Sequence, residues 1–299
     1  MSPLDYIHNV SDISDIGQLD GNVSICNDSH VIGAPNNYRG ENSLIARHLP
    51  TVSVCNVRSF FPKQNNWKND FLEHQGDVSL LCEVWQKAED KQHLQHIEHL
   101  LEIDGLQYLS TTRPLGKRGG GAAIIVNKER FKVQKLEIQN PFKLEIIWAL
   151  VKPKNESAHF KNIILCSFYS PPRSKLRSKL NDHIVCTLHM LTTKYPGCGI
   201  IIGGDKNKMD ISSLMNNNLK LRQIVTKPTR KNEILDIILT NLHPYYGTPV
   251  ILPPVHPDVP GQGVPSDHSV PLAVPHTDPA RAPVRYYKTI TSRPLPDSK

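Results

Sequence analysis

The chain has 299 residues, of which 38% are hydrophobic and 21% charged, with six cysteines and a formal net charge of +7. That length allows two average domains or one large α/β domain with tails, and the apolar fraction supplies a real core, which excludes wholesale disorder. No run approaches about 18 consecutive apolar residues, and the start, MSPLDYIHNVSDISD, has neither a basic nor an apolar signal region, so neither a membrane span nor an ordinary secretory signal is expected.

Residues 1–50 are rich in Asn, Asp, Ser and Gly without a helical or strand period, and they read as a poorly ordered lead-in. They hold Asp5, Asp12, Asp15, Asp20, Asp28 and Glu41 against only Arg39 and Arg47, so the positive excess lies in the rest of the chain. A basic body favours polyanions such as nucleic acid.

Between 51 and 275 the sequence has a rhythm of short apolar runs that predicts one α/β domain. The expected strands are 51–56, 77–83, 106–111, 121–127, 145–151, 162–169, 199–204, 233–241 and 269–274. Their richness in Val, Ile and Leu suits strands buried between layers. Helical patterns fall at 62–75, where a proline suits the first turn, at 87–104 with Leu94, Ile97, Leu100 and Leu101, and at 174–195. The strands within 106–127 and within 145–169 follow one another with no room for a helix, which predicts mixed sheets covered by helices. Twelve of the 24 prolines lie between Pro249 and Pro296, and 276–299 reads as an extended linker or tail.

The cysteines form no C-x-x-C pair. Cys55, Cys82 and Cys166 sit inside apolar runs, where a free thiol behaves as a small hydrophobe, so a reducing, intracellular compartment is expected.

The polar residues fall where the strands end. Asn56, Glu83 and Tyr169 close three runs, Asp205 and Asn207 follow another, and Asp267 and His268 precede the last. Rigid strands bring such side chains from distant positions to one cleft. Glu83, Asp205, Asp267, Asn56 and Asn207 offer hard oxygen ligands, which suit Mg²⁺ or Mn²⁺ and point to a phosphate ester as substrate. His268 supplies an acid–base or electrostatic partner. Asp236, in the middle of ILDIILTN, is a carboxylate too costly to bury unpaired and is suited to orient that imidazole.

Asn56 in SVCNVRS, Glu83 in LLCEVW, RGGGAAIIV (118–126), Tyr169 in CSFYSPPRS, GGDKN (203–207), LDIILTN (235–241) and SDHS (266–269) together resemble the endonuclease/exonuclease/phosphatase superfamily. The N-x-R-S start, Y-x-P-P-x-S, TKPTR (226–230) and S-D-H-S most resemble the apurinic-type endonuclease domains of LINE-type non-LTR retrotransposons. The resemblance implies a DNase I-like, four-layered α/β sandwich of two mixed β-sheets flanked by helices. It implies a Mg²⁺-dependent endonuclease that hydrolyses DNA by in-line attack of a metal-activated water and leaves a 3′-hydroxyl for target-primed reverse transcription. Glu83 would bind metal with Asn56, and Asp267 would be a metal or second-shell ligand. Asp205 would activate or position water, Asn207 and Tyr169 would hold the scissile phosphate, and the Asp236–His268 pair would stabilise its developing charge.

Arg58, Arg118, Arg173 and Lys206 are candidate DNA contacts. The implied partners are DNA and a reverse transcriptase domain that this chain lacks, with no membrane, a monomeric state, and a nuclear location that follows only from the substrate. The sequence departs from the usual G-D-F-N in having Lys206 at the aromatic position, with Lys208 after the Asn. Two alternatives stand: an inactive remnant that only binds DNA, and a phosphoesterase of the same fold with a non-DNA substrate. The P-S-W-x-D-R stretch of phosphoinositide phosphatases is missing here. Gly119, Gly120 and Gly121 make no P-loop, because no G-K-[ST] follows, and His93, His96 and His99 spread over a solvated helix face.

Overall fold

Runs of β-branched and aliphatic residues become strands that alternate their side chains between two apolar layers. A computed structural model describes residues 43–87, 89–111, 119–216 and 218–276. Its strands are β1 (Val52–Asn56), β2 (Val78–Cys82), β3 (Leu106–Ser110), β4 (Ala122–Asn127), β5 (Phe131–Leu136), β6 (Ile146–Pro153), β7 (Ile163–Tyr169), β8 (Gly199–Asp205), β9 (Arg222–Gln223), β10 (Asp236–Thr240), β11 (Val250–Leu252) and β12 (Val270–Ala273). The helices are α1 (Gln64–Glu73), entered through a 3₁₀ turn at Phe61–Lys63, α2 (Lys91–Ile103), α3 (Arg177–Lys194) and the short α4 (Ser212–Met215).

Two six-stranded sheets result, in the orders β11-β12-β1-β2-β4-β3 and β5-β6-β7-β8-β10-β9. Each is mixed, because β1–β2 and β7–β8 pair in parallel and the other neighbours pair antiparallel. Val52, Val54, Val78, Leu80, Ile124 and Val126 of the first sheet face Ile147, Ala149, Val151, Ile163, Leu165 and Ile201 of the second. Alternate residues turn outward. On the first sheet Cys55, Leu81 and Ile125 meet Trp67 and Phe71 of α1 and Ile97 and Leu101 of α2. On the second, Trp148, Ile164 and Ile202 meet Leu180, Ile184, Leu188 and Leu191 of α3. These helices each bury one stripe at a spacing of three or four residues, and each fully buried aliphatic side chain contributes about 1.5–3 kcal/mol. The architecture is the expected DNase I-like sandwich of four layers.

The sheets approach closely at Gly203. A Cβ there would stand 2.5 Å from Val54 and 2.6 Å from Leu80, so this glycine sets the spacing just before Asp205. Polar bridges sew the same end together. Ser167 Oγ donates to the Leu81 carbonyl (2.9 Å), and Cys82 Sγ donates to the Phe168 carbonyl while accepting from Asp205 N–H (3.2 Å each).

Strands β5, β9 and β11 and helix α4 go beyond the expected elements. Strand β5, FKVQKL, is a polar edge strand that pairs only with β6, so it lacks the apolar run that marks a doubly covered strand. The other three have two to four residues each, too few to carry a period. Of the expected lead-in, residues 1–42 lie outside the described residues, whereas Ala46 and Leu49 are buried. Of the expected tail, 277–299 lie outside them. Cys55, Cys82 and Cys166 are buried free thiols, and no described helix is long and apolar enough to cross a membrane.

Candidate active site

Strand register aligns the chemistry. Tyr169 on β7 pairs with Asp205 on β8, and Asp205 pairs with Asp236 on β10, which puts three functional side chains in one row at the end of the second sheet. On the first sheet Asn56 and Cys82 pair at the parallel ends of β1 and β2, so Glu83 follows beside Asn56. The last strand of that sheet is preceded by His268.

Asn56 is the hub. Its side chain is fully buried, and Nδ2 donates to Glu83 Oε1 and to Asp205 Oδ2, both at 2.9 Å, which ties the sheets together through one amide. Asn56 Oδ1 accepts from Arg58 N–H at 3.3 Å. The second oxygen of Glu83 accepts from Trp85 Nε1 at 3.1 Å, and the Tyr169 hydroxyl hydrogen-bonds to Glu83 as well. Burial, followed by the charge of Glu83, raises the Tyr169 phenol far above its usual value, so it stays a hydrogen-bond donor. Asp205 Oδ1 accepts from Asn207 N–H at 2.9 Å, and Asn207 Nδ2 donates to the Ser170 carbonyl at 2.9 Å. Burial, together with Asp236, holds the Asp205 carboxyl well above the ordinary carboxylate range.

His268 and Asp236 form a buried pair, with Nδ1 and Oδ2 2.8 Å apart. The carboxylate accepts, so Nδ1 carries the proton and Nε2 is left facing Asp267 Oδ1 at 3.9 Å. Burial lowers the imidazole, but the hydrogen bond and charge of Asp236, with Asp205 and Asp267, outweigh it and raise the His268 pKa above its usual value. The other Asp236 oxygen, Oδ1, is buried without a hydrogen-bond partner among the described residues.

Asp267 points to the rim. Its carboxylate accepts from Arg230 Nε at 2.9 Å and pairs with Arg58 at 3.3 Å, and these cations bring its pKa below the usual carboxylate value despite partial burial. Lys206 turns its ammonium back to the Asn207 carbonyl at 3.2 Å, so the substitution of a lysine into G-D-x-N leaves the Asp205–Asn207 bond in place. Arg173 is exposed on the loop after β7, and Arg118 lies outside the described residues. The structure therefore brings Asn56, Glu83, Tyr169, Asp205, Asn207, Asp236 and His268 into one cluster, with Asp267 and Arg58 at its edge.

Left-handed backbone gathers here. Arg58 (φ 41°), Ser59 (φ 78°), Glu83 (φ 53°), Trp85 (φ 57°) and Asn207 (φ 44°) all adopt it, a strain that persists only where surrounding contacts over-determine it. Three residues that hold this geometry carry no strong mark in the sequence. Lys63 is fully buried, and its ammonium donates to the carbonyls of Val57 (2.7 Å), Arg58 (2.7 Å) and Ser59 (3.0 Å), which fixes the turn after Asn56. Burial lowers its pKa to about 8, and it remains charged at neutral pH. Glu145 accepts from Gly121 N–H at 2.6 Å, and at Gly120 (φ 92°) a Cβ would stand 2.1 Å from that carboxylate. Arg230, the end of TKPTR, clamps Asp267; its place in a motif was the available signal.

The donor set fits a hard divalent cation. Glu83 would hold it with help from Asn56, whose amide nitrogen positions the Glu83 carboxylate, and waters would complete the shell as Mg²⁺ prefers. The Cys82 sulfur is engaged between two backbone groups, and among the described residues no group of three or more His, Cys, Asp or Glu side chains is placed to hold a metal ion.

Among solved structures the chain is similar to an endonuclease/exonuclease/phosphatase protein of Bacteroides vulgatus, with a TM-score of 0.57 and 14% identity over 77% of this chain and 99% of that one. The human Nocturnin catalytic domain with bound sulfate gives a TM-score of 0.54 and 17% identity over 75% and 92%. The endonuclease domain of TRAS1, a telomere-specific non-LTR retrotransposon, gives 0.51 and 16% over 76% and 98%. No family model matches the chain, and no curated protein does. Two mixed six-stranded sheets face to face between helices, matched by these structures over 75–77% of this chain, give it the endonuclease/exonuclease/phosphatase fold.

Proposed function

We propose that the protein is a divalent-metal-dependent endonuclease that cuts DNA, of the kind found in non-LTR retrotransposons. The observation that carries this reading is the single hydrogen-bonded cluster from Glu83 through Asn56 to Asp205, with the Asp236–His268 pair beside it. Mg²⁺ or Mn²⁺ held by Glu83 with help from Asn56 would supply Lewis-acid stabilisation of charge on the phosphoryl oxygens. Asp205, with its raised pKa, is suited to take a proton from an attacking water. Tyr169 and Asn207 donate hydrogen bonds to the phosphate and hold it for in-line attack. His268, kept protonated by Asp236, stabilises the charge that develops in the transition state. Arg58, Arg230 and Arg173 hold the flanking phosphates, and the product 3′-hydroxyl would serve a reverse transcriptase in the nucleus.

The TRAS1 endonuclease domain among the structural neighbours supports this substrate, and the intact Asp205–Asn207 bond beside Lys206 argues against a decayed site. The test is supercoiled plasmid with Mg²⁺, an EDTA control, and the Glu83→Ala and His268→Ala variants. Metal-dependent nicking is expected, lost by roughly 10³-fold or more in both variants. A folded wild-type chain that retards DNA without nicking it would leave a binding remnant, or a different phosphate ester as substrate.

A further inference from the structure

Next to Glu83 lies a cleft of about 550 Å³, and apart from Glu83 and Tyr169 the proposed hydrolysis uses none of its lining. Glu83, Tyr169, Phe61, Trp85 and His93 all line it. Phe61 is a phenylalanine left 36% exposed at the start of a 3₁₀ turn. One face of its ring is already covered by His93, stacked at 4.0 Å between centroids and 19° between planes. His96 meets it edge-on at 5.8 Å. Trp85 is fixed by its bond to Glu83 and by Gly119, where a Cβ would stand 3.3 Å from the indole nitrogen. Two held aromatic rings thus share a cleft with a candidate metal ligand and with a tyrosine placed to hold a phosphate.

The lining also selects among flat or apolar occupants. Asp90, and the second lone pairs of Glu83 and Gln86 oxygens that already accept from Asn56, Trp85 and Tyr108, are acceptors that a lipid chain would desolvate at a cost and that the amino and ring N–H groups of a base can meet. Resting on the phosphodiesterase reading above, we infer that this cleft takes the unpaired nucleobase of the nucleotide adjoining the scissile phosphate, stacked on Phe61 and Trp85. Stacking of this kind tolerates every base, because every base has a π-face, so the cleft favours an unpaired nucleotide beside the cut and not a sequence.

Two measurements decide it. The first titrates tryptophan emission in EDTA with dAMP and with deoxyribose 5-phosphate, which keeps the phosphate and lacks the base. Trp67 and Trp148 are only 3% and 2% exposed, so a quenching response reports Trp85. Saturable quenching by dAMP alone, weakened about tenfold in Phe61→Ala, is expected; an equal response to both compounds, or an unchanged Phe61→Ala, overturns the inference. The second is DNA cleavage by Phe61→Ala, where KM rises about tenfold and kcat stays, because stacking is uniform binding. A wild type that nicks DNA while Phe61→Ala matches it in KM sinks the cleft and spares the nuclease. A wild type that nicks nothing yet binds dAMP sinks the nuclease and leaves the base site for another phosphate ester.

Discussion

Lys63 and Arg58 are two cations on one turn, and the site treats them in opposite ways. Lys63 is fully buried and meets only neutral carbonyls, three of them, one per ammonium proton. Arg58 stands at the surface and meets a carboxylate, Asp267, that it shares with Arg230. The next residue repeats the contrast, since His268 lies buried against Asp236 while Asp267 lies at the rim. Burial converts a charged group into a fixed part of the scaffold, because leaving it unpaired costs its full desolvation. Exposure leaves a charge exchangeable, because water and salt compete for its partner. The inner groups set geometry, and the rim groups keep partners that water and salt can displace.

The largest expected effect is at Lys63. Lys63→Met removes the donor from three carbonyls at a turn that already holds Arg58 and Ser59 in left-handed backbone, and a loss of about 3 kcal/mol or more is expected in urea unfolding. A loss near zero would break the division, making Lys63 a replaceable filler. Asp236→Ala comes second, at about 2–3 kcal/mol, less than for a permanent charge because the stranded imidazole can shed its proton. Asp236→Asn keeps an acceptor for Nδ1 and should regain most of that stability while nicking stays roughly 10²–10⁴-fold slower, since charge and tautomer are lost. Stability and rate recovering together would mean that the pair serves the fold alone.

The inner groups differ in how far the sequence displays them. The sheets were legible because strands covered on both faces are apolar at nearly every position, as in AAIIV of β4 and IILC of β7. Asp236 was legible for the converse reason: a carboxylate in ILDIILTN demands a partner, and His268 is within 2.8 Å of it. Lys63 gave no such sign. A lysine before QNNW at a helix entry reads as a solvated end, and its three acceptors are defined by a turn whose shape no spacing encodes. Glu145 opens a strand and reads as its polar boundary, yet it orders the glycines at 120 and 121 from the other sheet. The edge strand β5 escaped because an exposed face carries no apolar run. What stayed hidden is contact between distant elements, which depends on register and turn conformation and not on residue type alone.

The pH dependence sharpens the comparison next. His268 has its pKa raised in the folded state, so its contribution is fully present below the unfolded value of about 6.5 and is lost as pH rises through the folded value. Asp205, raised to about 7, has the same sign, and its window reaches up from the ordinary carboxylate range to overlap the start of this one. Melting temperature should therefore decline as pH is raised from about 6.5 upward, by a few degrees if the pair contributes about 1 kcal/mol. His268→Gln removes the imidazole and keeps Asp205, so its profile should lose only the part of the decline that the imidazole contributes. An unchanged slope in the variant would assign the titration elsewhere.

The smallest effect on stability, and the sharpest on binding, is expected at Asp267. Its carboxylate and both arginines are a third or more exposed, so Asp267→Asn should cost under about 1 kcal/mol. The same change frees Arg58 and Arg230 from their shared anion. If they trade it for phosphates, DNA binding in EDTA should tighten, and the plot of log affinity against log salt should steepen by up to about two released counterions. Binding in EDTA that does not change, with nicking that needs more Mg²⁺, would instead make Asp267 a metal ligand, and its arginines would then be what the metal displaces. The two results exclude each other because one reading places the charge of Asp267 in competition with DNA, and the other in its service.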